Sequence, residues 1–153
     1  MVANISATIP GPVTWKLSPD KKKILFFNAR QIRVAELKRN GDDDMLSEPY
    51  FTFDCRDNSL RDIFWHSDSY HLILVTHKNI EALEIQPGSQ LVDLLALSKK
   101  NIDAHYDTAS DTLYFMDSQK AGDGNYYENV YKLEMAGSKI FALQDQFKAN
   151  GNE

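Results

Sequence analysis

Cysteine is nearly absent from this chain: Cys55 stands alone among 153 residues. A single thiol excludes an internal disulfide and any metal site built from several cysteines of one chain. It suits the cytosol and is equally compatible with export. Long apolar runs are missing too. No run approaches the roughly eighteen residues that a membrane helix needs, so direct membrane insertion is not expected. Positive charge is in deficit, with 17 Lys and Arg against 22 Asp and Glu and a net charge of −5. That balance argues against a general electrostatic grip on nucleic acid. Met1 to Pro10 lacks a basic stretch followed by a long apolar one, so no export signal is expected there. The nucleophile elbow Gly-x-Ser-x-Gly is absent, as are the P-loop and the dinucleotide fingerprint.

What the chain has is a globular composition, 42% hydrophobic and 11% aromatic, and a pattern that occurs three times. Trp15-Lys16-Leu17-Ser18-Pro19-Asp20 leads to Ile24–Phe27 and then to Ile32–Leu37. Ile63-Phe64-Trp65-His66-Ser67-Asp68 leads to Leu72–Val75 and Ile80–Ile85. Ala104-His105-Tyr106-Asp107 leads to Leu113–Met116 and Val130–Met135. A period of forty to fifty residues with strand-like segments is the mark of a β-propeller, whose blades are four-stranded sheets. The expected fold is therefore all-β, three four-stranded blades making half a propeller. The blades cover about 13–54, 58–98 and 101–146, after an extension at 1–12 and before a tail at 147–153.

The strands expected are 13–18, 23–28, 31–37 and 49–53 in the first copy, then 60–66, 71–76, 79–85 and 90–97. The third copy offers 102–107, 112–117, 127–135 and 139–144. Leu17, Trp65 and Tyr106 hold equivalent places just before the first turn of each copy. Ser18-Pro19-Asp20-Lys21 is a good β-turn, since proline presets φ and aspartate bonds nearby amides. Asn40 to Asp44 reads as a solvated loop. The insertion Ser118–Asn129 reads as a flexible loop or an extended hairpin tip. Good helix formers between 91 and 98 leave a short helix as an alternative there.

The segment Trp15-x-x-Ser18-Pro19-Asp20-Lys21-x-x-Ile24-Leu25-Phe26 resembles the TolB-type, WD40-like propeller repeat. Phe64-Trp65-His66-Ser67-Asp68 with Leu72-Ile73-Leu74 is a weaker version, and the Trp-Asp dipeptide of WD40 repeats is absent. Pro10-Gly11-Pro12-Val13, Leu46-Ser47-Glu48-Pro49 and Trp65–Leu72 together resemble the C-terminal repeats of bacterial PEGA-domain surface proteins. The resemblance implies part of a propeller serving as a binding or scaffolding surface. It leaves the compartment open between the bacterial cytoplasm and the outside of the cell.

Three blades do not close a ring, because propellers take about four to eight. The outer faces of the first and last blades would be apolar and uncovered, which monomers rarely tolerate. A homodimer closing a six-bladed ring is the simplest cover, and missing blades of a longer parent are the other. Phe26, Phe27 and Phe115 are the expected assembly residues, and Val2–Ile9 is a candidate latch strand.

Four groups carry candidate chemistry. His66, Asp68 and His71 form His-x-Asp-x-x-His, a spacing that suits zinc or non-haem iron, yet they flank a turn, where polar residues are the rule. No metal and no cofactor are expected. Asp42, Asp43 and Asp44 lack the glycine and glutamate spacing of a calcium loop. Cys55 beside Arg56 has a cationic neighbour that would lower its pKa, though a packing role is the simpler reading. The favoured site is a rim of loops holding Asn28, Arg30, Arg56, His77, Lys78, Asp117, Tyr126 and Tyr127, where tyrosines bring large amphipathic area. The expected function is a non-enzymatic binding or scaffolding module for a protein or small polar ligand. The alternative is a hydrolase or lyase with its site in the central channel, among Lys16, Arg61, Asp62, Asp103 and His105.

Overall fold

The computed structural model describes residues 11–40, 43–47, 49–55, 59–98 and 103–135. All regular structure among them is β, in three antiparallel sheets. The first sheet holds β1 (Thr14–Leu17), β2 (Lys23–Phe27), β3 (Gln31–Asn40), β4 (Asp43–Leu46) and β5 (Phe51–Asp54). The second holds β6 (Leu60–Trp65), β7 (His71–Thr76), β8 (Asn79–Glu84) and β9 (Val92–Ala96) in sequence order. The third holds β10 (Ala104–Asp107), β11 (Thr112–Lys120) and β12 (Tyr126–Glu134). The chain divides into two compact units, Met1–Asn101 with the first two sheets and Ile102–Glu153 with the third.

The threefold pattern is present in the hydrogen bonding. Leu17 pairs with Ile24, Trp65 with Leu72 and Tyr106 with Leu113. The amides of Leu37, Ile85 and Met135 donate to the carbonyls of Lys22, Tyr70 and Asp111 at 2.8, 3.0 and 2.8 Å. Each first turn carries a non-glycine residue in the left-handed region: Lys21, Ser69 and Asp111, with φ of 58°, 62° and 52°. Such a conformation is costly for an L-residue. Aspartates offset it by accepting backbone N–H groups within the turn. Asp20 takes that of Lys22, Asp68 those of Tyr70 and His71, and Asp107 that of Ala109.

One sequence expectation changes, and two left open are decided. Asp43 and Asp44 belong to a strand rather than a loop. β3 runs on to Asn40, and β4 folds back on it from Leu37↔Leu46 to Asn40↔Asp43, while β5 pairs the first half of β3. The connecting residues Gly41 and Asp42 lie outside the described residues. Residues 92–96 form a strand, so the helix alternative falls. The insertion of the third copy is an extended hairpin, β11 and β12 staying paired as far as Lys120↔Tyr126. The candidate strands 2–9 and 139–144 and the tail lie outside the described residues.

Within the first unit the two sheets pack face to face. Alternation sends Leu25, Phe27, Ile32, Val34 and Phe51 of the first sheet to one side. They join Leu60, Ile63, Trp65, Leu72, Leu74, Leu83 and Ile85 of the second in one core. Polar groups pin this joint at its edge. Trp65 Nε1 donates to Lys16 O at 3.1 Å, and Asp20 N to Ser69 Oγ at 3.1 Å. Lys16 Nζ reaches Asp62 Oδ1 at 2.6 Å and Ile63 O at 2.5 Å, 4.3 Å from the centre of the Phe64 ring. Lys16→Ala removes a charge-assisted bond and a cation–π contact together. We expect the first unit to lose about 1–2 kcal/mol, read as a lower urea midpoint; an unchanged midpoint would contradict this role.

Candidate functional site

A half-open groove of about 820 Å³ in the first unit is lined by residues of both of its sheets. Phe53, Leu60, Leu74 and Leu91 give it an apolar floor, and Thr76, His77, Lys78, Asn79 and Glu81 a polar wall. Glu81 occupies a row of β8 that otherwise points Leu83 into the core. It lies opposite Asp93 on β9. Burial raises the Glu81 pKa, and its hydrogen bond with Asp93 and the repulsion between the two carboxylates raise it further. Asn79 Nδ2 donates to Asp93 Oδ1 at 3.0 Å. This carboxyl pair was missed in the sequence, where Glu81 read as one member of a strand pattern. The usable signal was a glutamate in register with core leucines.

Cys55 lines the same groove. Burial pushes its thiol up to about 12, with Asp54 and Glu81 adding to the shift. The sequence pointed the other way through Arg56, which lies outside the described residues. A thiol with that pKa is protonated at neutral pH and is a poor nucleophile. At pH 8 we expect alkylation by iodoacetamide to run about 1000-fold slower than for a free cysteine, following the thiolate fraction. Reaction at the free-cysteine rate would refute the assignment.

The turn between β6 and β7 gathers His66, Asp68 and His71. His66 is buried, at 1% exposure. Asp68 Oδ2 lies 3.1 Å from His66 Nδ1 and 2.6 Å from His71 Nδ1. The two imidazoles meet edge to face with centroids 6.1 Å apart. Burial alone would raise the Asp68 pKa. The hydrogen bonds from His66, His71 and the Tyr70 amide outweigh it and hold the carboxyl well below the usual range.

The rim residues divide. Asn28 Oδ1 accepts the amides of Arg30 and Gln31 at 2.9 and 3.0 Å, which shapes the β2–β3 turn. Arg30 O accepts the Cys55 amide at 2.7 Å, and His77 N donates to Ser59 O at 3.1 Å. Arg30, His77 and Lys78 therefore gather at the end of the first unit that holds the groove. In the second unit Tyr126 and Tyr127 are exposed, and Tyr127 OH donates to Asp123 Oδ2 at 2.7 Å. Asp117 is buried, its Oδ1 accepting the Ser118 amide at 2.8 Å, so it shapes a strand rather than a rim. Of the channel candidates, Lys16 and Asp62 are paired with each other.

The sheet faces are the other candidate surface. Trp15 and Leu17 share one side of the first sheet with Ile24 and Phe26. Trp15 is 63% and Leu17 41% exposed. Their counterparts in the second sheet, Ile63 and Trp65, are buried. In the third sheet Tyr114, paired with His105 and Lys132, shares a side with Val130. Val130 is 68% exposed, whereas Ile80, its counterpart in the second sheet, is buried. Phe27 and Phe115 do not belong to these open sides. Phe27 points into the joint with the second sheet, and Phe115 is buried against the Tyr131 ring, 5.8 Å between centroids. Alternation puts each one residue away from the open face, on which Phe26 and Tyr114 lie instead. Comparison with protein-family models and with curated proteins finds no match to this chain.

Proposed function

We propose that the three sheets are blades of the TolB-type, WD40-like kind and that the chain is a non-enzymatic scaffolding and binding module that assembles with a second copy of itself. One observation carries the reading. Positions that are buried in the second sheet, Ile63 and Trp65, are held in the first by the exposed Trp15 and Leu17. The same sequence position thus has an apolar side chain in each sheet, and in the first it is exposed. A buried counterpart shows what covers such a face: the Leu25 and Phe27 side of another sheet. The third sheet offers a mixed side, Tyr114, Met116 and Val130 lying beside the Lys132–Glu134 ion pair.

Two head-to-tail contacts of this kind close a ring and leave no open end. The groove beside His77 and Lys78 then supplies the binding surface. The protonated Cys55 favours recognition over nucleophilic chemistry there. The solution mass tests the assembly: a twofold mass supports it, and a single-chain mass at high concentration removes it.

A further inference from the structure

We propose that the β6–β7 turn is a binding site for a divalent transition-metal ion of the zinc class, held by His66, Asp68 and His71. The inference is independent of the assembly, since all three residues lie on one turn of the first unit. One ligand atom from each residue falls within 4.8 Å of the other two. A tetrahedral zinc ion with bonds of about 2.0–2.1 Å holds its ligand atoms about 3.3 Å apart. His66 Nδ1 and Asp68 Oδ2 are already 3.1 Å apart, and His71 Nδ1, at 2.6 Å, has to open by less than about 1 Å.

The ligands are also held in place. Asp68 Oδ1 accepts the amides of Tyr70 and His71 at 2.8 and 3.0 Å, which turns Oδ2 toward the imidazoles. Burial fixes the His66 ring. Anchoring of this kind is what orients ligands in metal sites. Two imidazole nitrogens and one carboxylate oxygen suit zinc, cobalt or nickel better than calcium or magnesium.

The repeats supply the second argument. The first copy builds the same turn with Ser18, Asp20 and Lys23. Ser18 Oγ accepts the Lys23 amide at 2.9 Å, and Lys23 Nζ pairs with Asp20 at 3.2 Å. The third copy places Asp107 and Thr112 at the positions of Ser18 and Lys23. The fold therefore needs no imidazole in this turn, and the second copy has two that converge on one oxygen.

The test is zinc titration of the untagged, chelator-treated chain by calorimetry, with cobalt absorption as a second readout. The expected result is one ion per chain and a cobalt spectrum of low-symmetry N/O coordination. The double variant His66→Ser, His71→Lys transplants the turn of the first copy, so it should fold, and circular dichroism checks that it does. It should bind zinc at least about 100-fold more weakly. No zinc uptake by the unaltered chain would overturn the proposal. So would a folded double variant that binds as tightly, or a preference for calcium over zinc.

Discussion

Phe26→Asp is expected to halve the mass of the protein in solution. Phe26 sits on the side of the first sheet that carries Trp15 and Leu17, and it pairs directly with Trp15. A carboxylate there would be buried without a partner once a second copy covers the face. Burying an unpaired charge costs several kcal/mol. A loss of about 3 kcal/mol per contact weakens association more than 100-fold, and both contacts of a ring suffer at once. The core of the first unit should persist, because Leu25 and Phe27 on the other side of β2 are unchanged. Val130→Asp, on the open side of the third sheet, should act the same way. Light scattering with far-ultraviolet circular dichroism separates dissociation from unfolding. An unaltered mass in both variants would remove these faces from the interface.

Trp65→Ala is expected to have the largest effect on stability. The side chain is 4% exposed and lies in the joint between the first two sheets. Truncating a buried tryptophan costs about 3–5 kcal/mol through lost burial and the cavity left behind. It also leaves Lys16 O without the indole N–H that it accepts at 3.1 Å. Domains of this size are stable by about 5–15 kcal/mol, so the loss is a large part of the whole. Trp65→Phe keeps most of the packing and loses the bond, with an expected cost nearer 1 kcal/mol from the bond itself. Urea unfolding of the two variants should preserve that order. A loss below about 1 kcal/mol for Trp65→Ala would mean that the joint is not where the stability resides.

Much of this fold is legible in the sequence, because a period of two and a repeat unit leave direct marks. The runs Ile24–Phe27, Leu72–Val75 and Leu113–Met116 become the strands β2, β7 and β11. The aspartates Asp20, Asp68 and Asp107 fall at turns whose backbone they satisfy. The β3–β4 hairpin escaped because its charged residues read as solvent loop. The faces of Phe27 and Phe115 escaped for a different reason. In a continuous apolar run, composition does not reveal which residues point to which side, and only pairing register does. The groove is harder still to see. It joins Phe53 and Cys55 to Glu81 and Leu91 across two sheets, and no local pattern encodes that distance. The turn histidines were visible as a motif, but the convergence of both rings on Asp68 Oδ2 is a property of the fold.

The assembly is the claim on which the rest of the proposed function depends, and the most direct test is the absolute mass by light scattering across a concentration series. The expected mass is twice the 17.5 kDa of one chain, held at the dilute end of the series. Trp15, 63% exposed in the single chain, is expected to be shielded from a soluble quencher such as acrylamide. A mass of one chain at the highest concentration, with Trp15 freely quenched and the protein soluble, would contradict it.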